Sequence, residues 1–278
     1  MSEALGGPLP QTPGSDAGGT APERHIRFDR VFNFRDLGGY RARDGRAVRW
    51  RTIFRSDSLH EMSDSDRHHF AEQLGVCTVL DLRNPGSVER NPANVRATVH
   101  NIAFIDDAAL SAYGEQHGSV ASTEWYLEVL HGAEQVDGIA RAFAVLSEPS
   151  SYPLSFNCSL GKDRAGLMAA LVLGALGVDH EQIGEDYSLS EQNMGPIRQR
   201  YERVRDALGT GPSDHSESSR TFSLADGTFA SPPEWMTGVL EALAAEYGSV
   251  RGYVEAQGVP GAELDRFAGL LLEQGQPE

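Results

Sequence analysis

The apolar residues of the chain fall into short continuous runs and into longer stretches where they recur every three or four positions. Short runs bounded by turn residues are typical of buried strands, and the longer spacing is typical of amphipathic helices. We therefore predict strands at 52–55, 76–82, 98–105 and around Leu154, and a hairpin at 39–49 around Asp44 and Gly45. Helices are predicted at 64–74, 123–130, 134–146, 167–176, 180–189, 196–208, 233–247, 250–257 and 262–273.

This alternation of strands and helices predicts an α/β fold with a mixed, mostly parallel central sheet flanked by helices. The run 76–82 is apolar almost throughout, which indicates a strand covered on both faces. The first helix is expected to be capped by Ser63 and to end at Gly75. In such folds ligands bind at the carboxyl ends of the strands.

A single domain is predicted at residues 23–278, because 278 residues with 40% hydrophobic content can form one substantial core. Residues 1–22 are rich in glycine, proline, serine and threonine and are expected to be a disordered leader without the features of a signal peptide. A similar composition predicts a flexible insertion near 209–232. Two cysteines suit a reducing compartment, so we expect a cytoplasmic protein, with signal-free export as the alternative.

The charge balance narrows the range of partners. A formal charge of −16 argues against nucleic acid and anionic membrane surfaces as general partners. Residues 24–55 depart from this balance, with ten arginines against three aspartates. This stretch forms either a positive surface that steers an anionic substrate or a set of solvated side chains. The longest apolar run, 167–178, is too short to span a bilayer. The nine histidines show no ligand spacing, so neither a metal nor a cofactor is predicted.

The most informative segment is NCSLGKDRAG at 157–166, which lies between a predicted strand and a predicted helix. A tight loop before a helix presents backbone N–H groups and the positive end of the helix dipole, and this combination binds oxyanions such as phosphate. The guanidinium of Arg164 can grip two phosphate oxygens, and the same positive field favours the thiolate of Cys158. The predicted reaction is attack of this thiolate on phosphorus, followed by hydrolysis of a phosphocysteine. The predicted phosphate-binding residues are Ser159, Leu160, Gly161, Lys162, Asp163 and Arg164.

A second cysteine has the same spacing to an arginine, since Cys77 precedes Arg83 by six residues. The five residues between them form an apolar, extended segment without glycine. An extended strand sends alternate N–H groups to opposite sides and cannot surround an anion. We therefore predict that Cys77 is a small buried core residue and that Cys158 is the nucleophile.

Two motifs give the chain a family resemblance. The segment 157–166 resembles the His-Cys-x-x-Gly-Lys-Asp-Arg-Thr-Gly loop of cysteine-dependent phosphatases, and NFRDLGG at 33–39 is similar to their upstream signature. Together they resemble the tyrosine phosphatase family in its bacterial protein tyrosine phosphatase B-like subgroup, over residues 24–274. The resemblance implies the cysteine-phosphatase fold and phosphomonoester hydrolysis.

Two residues depart from the family pattern. Asn157 stands where the family has histidine; it can still donate a hydrogen bond, but it carries no charge. Ala165 replaces a threonine or serine whose hydroxyl is believed, in the family, to stabilise the leaving thiolate. Both changes predict slower turnover, most of all in the hydrolysis step. They also leave open a phosphatase-like protein that binds phosphate with little turnover.

The leaving-group oxygen requires a general acid. The Trp-Pro-Asp loop of larger tyrosine phosphatases is absent from the sequence. By resemblance Asp163 is the first candidate; Asp81 is the second, and the neighbouring Asp106 and Asp107 are the third. Each has an ordinary capping or surface role as its alternative.

Three further basic residues have two interpretations each. By resemblance, Lys162 at the loop rim accompanies lipid or other polyanionic phosphates; alternatively it is a solvated lysine that tunes the local field. Arg35 and Arg55 either contact substrate, together with Asp106, or brace the loop. The expected substrates are protein tyrosine, protein serine or lipid phosphates. A small phosphorylated metabolite is the alternative, because pocket walls rather than the fold decide specificity.

Overall fold

A computed structural model of the chain describes residues 22–103, 121–132, 135–207 and 229–275. Its main sheet has five strands in the order β1-β3-β6-β4-β5. Strand β1 is antiparallel to β3, and the other neighbours are parallel. The predicted mixed, mostly parallel sheet is therefore confirmed. The strands are β1 Arg35–Asp36, β3 Ile53–Ser56, β4 Thr78–Asp81, β5 Thr98–Asn101 and β6 Leu154–Asn157.

The helices of the described residues follow the predicted order. Each predicted helix is present, with ends shifted by a few residues. The short helix Pro85–Arg90 is an addition that the sequence pattern did not indicate. The bounds are α1 Asp64–His68, α2 Pro85–Arg90, α3 Thr123–His131, α4 Gln135–Leu146, α5 Asp163–Ala175, α6 His180–Gln192, α7 Met194–Ala207, α8 Pro233–Tyr247, α9 Val250–Ala256 and α10 Gly261–Leu271. None of the helices described is long and apolar enough to cross a membrane.

The first helix has the predicted ends. The Ser63 hydroxyl accepts from the Asp66 N–H, and the Asp66 carboxylate accepts in return from the Ser63 N–H, which completes a capping box. After α1 the chain continues as a π-helical turn, His69–Gln73. Gly75 then adopts a φ of +65°, a left-handed conformation that ends the helix.

A second, two-stranded sheet joins the hairpin after β1 to the last described segment of the chain. The predicted hairpin is present, with Gly45 at a φ of +87°. Its strand β2 (Arg46–Val48) pairs antiparallel with β7 (Leu272–Gln274). The last predicted helix therefore ends two residues early, because residues 272–274 pair with β2 instead of continuing α10.

The core lies on both faces of the main sheet. Leu154 and Phe156 face the larger cluster together with α5, which is buried along almost its whole length. Phe54 and Val79 face a smaller cluster on the other side. Strand β4 is buried on both faces as predicted.

The prediction for Cys77 is wrong in part, because this residue is half-buried. It lies just before β4, with its Sγ 3.5 Å from the Pro153 carbonyl oxygen. This position is at the end of the sheet opposite to Cys158, since Thr78 pairs with Leu154 at the start of β6.

Candidate active site

The loop of residues 158–162 joins the end of β6 to the start of α5. Strand β6 is the central strand of the main sheet and is parallel to both neighbours. At its last position Asn157 pairs with Ser56 of β3 and Asp81 of β4. The loop therefore lies at the carboxyl edge of the parallel strands, where an α/β fold places its ligands.

Four successive carbonyl groups of this loop point outward to donors in the surrounding chain. The donors are the Ser58 N–H to Ser159 (3.3 Å), Asn33 Nδ2 to Leu160 (3.0 Å), and Arg55 Nη2 to Gly161 (2.8 Å) and Lys162 (3.3 Å). In a trans peptide the C=O of one residue and the N–H of the next point in opposite directions. The backbone N–H groups of residues 160–163 are thus directed to the other side, which is the inside of the loop.

Glycine is required at one position of this loop. Gly161 has a φ of +71°, and a Cβ built on it would lie 2.6 Å from the backbone nitrogen of Asp57. The loop therefore packs directly against the end of β3, backbone to backbone. A side chain at residue 161 would both strain the dihedral angle and push the loop away from its supporting donors.

Arg164 closes the loop from the first turn of α5. Its Nη2 donates to the Ser159 hydroxyl oxygen at 3.1 Å, so the guanidinium reaches back across the four intervening residues. Arg164 and Cys158 are 6% and 2% exposed. Ser159 directly follows Cys158, so this hydrogen bond brings the guanidinium to the residue next to the predicted nucleophile. The structure thus brings the predicted nucleophile and the predicted phosphate-binding arginine together around one loop.

A buried ion cluster supports the loop from below. The Asp186 carboxylate of α6 accepts hydrogen bonds from Arg35 Nε at 3.0 Å and from Arg55 Nη1 at 2.5 Å. Burial alone would raise the pKa of Asp186, but the two guanidiniums hold it well below its ordinary value. Burial and the neighbouring Arg35 lower the pKa of Arg55 to about 10, against the opposing effects of Asp186 and Cys158, so Arg55 stays charged at neutral pH.

This burial favours one of the two interpretations of the arginines. Arg35 and Arg55 are 1% and 0% exposed, and their terminal guanidinium nitrogens donate to Asp186, to Asn33 and to the loop carbonyls. They cannot contact substrate in this conformation, and the bracing interpretation fits their position. Asn33 and Asp186 are functional residues that the sequence pattern did not indicate. Asn33 lies in the NFRDLGG segment, but the pairing of Arg35 with Asp186 joins segments 151 positions apart and appears only in the structure.

The candidate general acids have very different surroundings. Asp163 is partly exposed at the start of α5, with its Oδ1 accepting from the Tyr126 hydroxyl at 2.7 Å. Asp81 is fully buried, and both of its oxygens bind the Arg83 guanidinium, at 2.8 and 2.6 Å. This pairing contradicts a proton-donor role for Asp81.

Asp106 and Asp107 lie outside the described residues, and so does the predicted substrate contact of Asp106.

Lys162 is also placed differently from the expectation. Its side chain is 1% exposed, so it is neither a solvated lysine nor an accessible charge at the rim. The ammonium donates to the Ala230 carbonyl oxygen at 3.0 Å and pairs with Asp163 Oδ1 at 3.3 Å. Its positive charge therefore ties the segment after residue 228 to the loop.

Asn157 does not make the hydrogen bond that was expected of it. Its side chain is fully buried, and neither Oδ1 nor Nδ2 has a hydrogen-bond partner among the described residues. Asn157 therefore supplies neither a charge nor a side-chain hydrogen bond next to the nucleophile.

Apolar and aromatic side chains cover one side of the loop. Leu160 packs with Met194, Ile197 and Phe229 in a small buried cluster, and the partly buried Phe32 and Tyr201 lie against it. No group of three or more metal-ligating side chains is found in the described part of the chain.

Comparisons with known proteins agree with one another. The sequence model described as "Tyrosine phosphatase family" matches residues 26–273. The triple specificity protein phosphatase PtpB of Mycobacterium tuberculosis is 27% identical over 272 residues, which cover 87% of this chain and 97% of that protein. A protein of Cupriavidus necator, named as a tyrosine-protein phosphatase, is 30% identical over 212 residues, covering 74% of this chain and 76% of that protein. A tyrosine-protein phosphatase of Nostoc commune is 25% identical over 229 residues, covering 80% and 74%.

Proposed function

Because the chain belongs to the tyrosine phosphatase family and is a phosphoric monoester hydrolase, we propose that it cleaves its substrates through a phosphocysteine on Cys158. The observation that carries this proposal is the set of four outward carbonyls at residues 159–162, which turns the loop amides inward beside Cys158 and Arg164. Such a ring of donors matches the tetrahedral oxygens of a phosphoryl group.

In the first step the Cys158 sulfur attacks phosphorus while the ester P–O bond breaks. The electron pair of that bond goes to the leaving oxygen, which takes a proton from Asp163. Arg164 and the loop amides hold the nonbridging oxygens as their charge is redistributed. In the second step Asp163 accepts a proton from water, the water oxygen bonds to phosphorus, and the S–P bond breaks to release phosphate and restore the thiolate.

The assignment of the acid rests on accessibility. Asp163 is partly exposed at the rim of the loop, whereas Asp81 is buried and fully engaged by Arg83. A proton donor must reach the leaving group within hydrogen-bond distance, and the partial exposure of Asp163 favours it over the buried Asp81.

For the substrate we propose phosphorylated protein side chains, with phosphotyrosine preferred. The Mycobacterium tuberculosis relative, which matches over 87% of this chain, is named as a triple specificity protein phosphatase. The partly buried Phe32 and Tyr201 offer aromatic surface beside the loop, which suits an aryl ester better than a polar metabolite. Lys162, the cation expected to serve polyanionic lipids, is held by Ala230.

A pair of cysteine variants tests the nucleophile. Cys158→Ser should abolish turnover of an aryl phosphate while it retains binding of inorganic phosphate, because only the sulfur changes. Cys77→Ser is the matched control, since Cys77 has the same spacing to an arginine but lies at the opposite end of the sheet. Undiminished turnover in Cys158→Ser, or phosphate binding by a wild type that turns nothing over, would refute the proposal.

Competition among substrate classes tests the specificity. Phosphotyrosyl and phosphoseryl peptides, a phosphoinositide and a nucleoside monophosphate should each be compared as inhibitors of aryl phosphate hydrolysis. The proposal expects the phosphotyrosyl peptide to compete best. A phosphoinositide or a nucleoside monophosphate as the strongest competitor would replace it with a lipid or metabolite substrate.

A further inference from the structure

The hydroxyl groups of two tyrosines from different helices form a hydrogen-bonded chain that ends at the Asp163 carboxylate. The Tyr126 hydroxyl, from α3, lies 2.7 Å from Asp163 Oδ1 and 2.7 Å from the Tyr187 hydroxyl of α6. Tyr126 and Tyr187 are 0% and 1% exposed, and their rings meet edge to face. Nothing in the reaction described so far uses these two hydroxyl groups.

The direction of this chain follows from its proton count. An ionised carboxylate only accepts, and each phenol has one proton to donate. The Tyr126 proton therefore goes to Asp163, and Tyr126 must accept the proton of Tyr187. Burial, reinforced by the Asp163 charge, raises the pKa of both phenols well above the ordinary value of tyrosine. Both hydroxyls consequently stay protonated over the whole working range of an enzyme.

The two phenols are held in place by close packing. A Cβ added to Gly166 would lie 3.0 Å from Tyr187 Cδ2, so the glycine lets α5 approach the ring of Tyr187 directly. This contact fixes the far end of the chain relative to the helix that carries Asp163. The charged groups that face the chain are Lys162 from the loop, Arg55 from β3 and Glu191 from α6.

The described contacts of the Asp163 carboxylate are made by one oxygen. Tyr126 and the Lys162 ammonium both approach Oδ1, at 2.7 and 3.3 Å. An oxygen that already receives two donors is a poor site for a proton, so the acid proton resides on Oδ2. We propose that Tyr126 is a positioning residue that directs the acid proton of Asp163 to Oδ2, with Tyr187 holding Tyr126 in register.

This inference rests on the proposed role of Asp163. When the P–O bond breaks, the proton on Oδ2 moves to the leaving oxygen, and the resulting carboxylate keeps its hydrogen bond from Tyr126 through Oδ1. No further acid or base is needed, because the phenol protons do not leave their oxygens. Tyr126 thus acts before and after the transfer without exchanging a proton with substrate.

Leaving-group dependence separates such positioning from general stability. Aryl phosphates with poor leaving groups need the proton, whereas dinitrophenyl phosphate does not. For Tyr126→Phe we expect kcat/KM to fall about 10-fold with phenyl phosphate and less than about 2-fold with dinitrophenyl phosphate.

Tyr253→Phe is the matched control. The Tyr253 hydroxyl is buried and also makes a 2.7 Å hydrogen bond to α3, to the Leu130 carbonyl, but it does not contact Asp163. This variant should not change the leaving-group slope, which is the dependence of kcat/KM on the leaving group between phenyl and dinitrophenyl phosphate. An equal change in Tyr253→Phe would overturn the inference, because loosening of α3 alone would then explain the result.

Two more variants make the outcomes distinct. Asp163→Asn should steepen the leaving-group slope more than Tyr126→Phe, and Tyr187→Phe should steepen it in the same direction but less. If Asp163→Asn steepens the slope and neither tyrosine variant does, the positioning role is wrong and the proposed function stands. If Asp163→Asn leaves the slope unchanged, the acid assignment fails and the inference fails with it. Tyr187→Phe also supplies the measurement should Tyr126→Phe not fold.

Discussion

Arg55 donates to the carbonyl oxygen of Gly161 through Nη2, at 2.8 Å, while its Nη1 binds Asp186 at 2.5 Å. One planar guanidinium thus joins α6 to the loop that surrounds the nucleophile. Both terminal nitrogens lie in one rigid plane, so binding to Asp186 on one side fixes the position of the donor on the other side. The loop conformation therefore depends on a charge that substrate does not touch.

Arg55→Lys should weaken phosphate binding although it keeps the charge. A lysine ammonium is a point donor and cannot bind Asp186 and the loop carbonyls in the same geometry. We expect a folded protein that is less stable by about 1–3 kcal/mol and binds vanadate at least about 10-fold more weakly. Urea unfolding and vanadate inhibition measure the two effects.

Arg43→Lys is the control for this prediction, because Arg43 pairs with Asp179 on the surface, where both side chains are more than half exposed. Surface pairs contribute about 0–1 kcal/mol, so little should change. If Arg55→Lys bound vanadate as tightly as wild type, the loop would keep its shape without the two-sided contacts of the guanidinium, and the prediction would be wrong.

Asp186 should make stability depend on acid pH. Its pKa is lowered in the folded protein by Arg35 and Arg55, so its contribution is fully present above the unfolded value of about 4 and is lost as pH falls toward the folded value. The difference in unfolding free energy between wild type and Asp186→Asn should therefore be largest near pH 7 and shrink below pH ~4. Urea unfolding at a series of pH values measures it.

That difference isolates Asp186 from other carboxyl groups. Burial raises the pKa of Asp36 to about 6, so Asp36 affects stability in the opposite sense, but it titrates in both proteins. A gap between wild type and Asp186→Asn that stays constant from pH 7 to pH 3 would contradict the prediction.

Gly161→Ala should disrupt the phosphate-binding loop. The substitution places a Cβ 2.6 Å from the Asp57 nitrogen in addition to straining a φ of +71°. Gly177→Ala is the matched control, since Gly177 has a φ of +81° with nothing within 4 Å of the added Cβ. The control should cost about 1–2 kcal/mol from the dihedral alone. Gly161→Ala should cost more and lose phosphate affinity, as calorimetry with inorganic phosphate would detect; equal effects of the two variants would refute the role of close packing.

The fold and the position of the loop could be predicted because their signals are local. Ser63, Gly75 and the apolar run before residue 82 each act through neighbours in sequence, and the structure places the cap, the helix end and the buried strand accordingly. Cys158 begins one short loop and Arg164 lies in the first turn of the helix that follows it, so the contact of Arg164 with Ser159 beside Cys158 also follows from local geometry.

The parts that could not be predicted depend on residues far apart in the chain. Arg55 meets Asp186 across 131 positions, and Lys162 meets Ala230 across 68. Sequence pattern identifies such residues as cations but cannot say whether a partner will remove them from solvent. Asp81 shows the converse, since its partner Arg83 is only two residues away on the same face of the chain. For Asp81 the burial of the ion pair, which the sequence pattern does not show, decides that the carboxylate is not accessible.

Ala165→Ser should accelerate only the second half of the reaction. Ala165 is buried in the first turn of α5, beside Arg164, where the family has a threonine or serine hydroxyl that resemblance assigns to the departing thiolate. Wild type should therefore show a burst of product before steady state in rapid-quench experiments, because hydrolysis of the phosphocysteine is slow. In Ala165→Ser the burst should shrink and kcat should rise, while kcat/KM, which reports formation of the phosphocysteine, stays unchanged. Ala169→Ser, one turn further along α5, should leave the burst as in wild type. A wild type without a burst would place the slow step before the intermediate, and Ala165 would then not limit turnover.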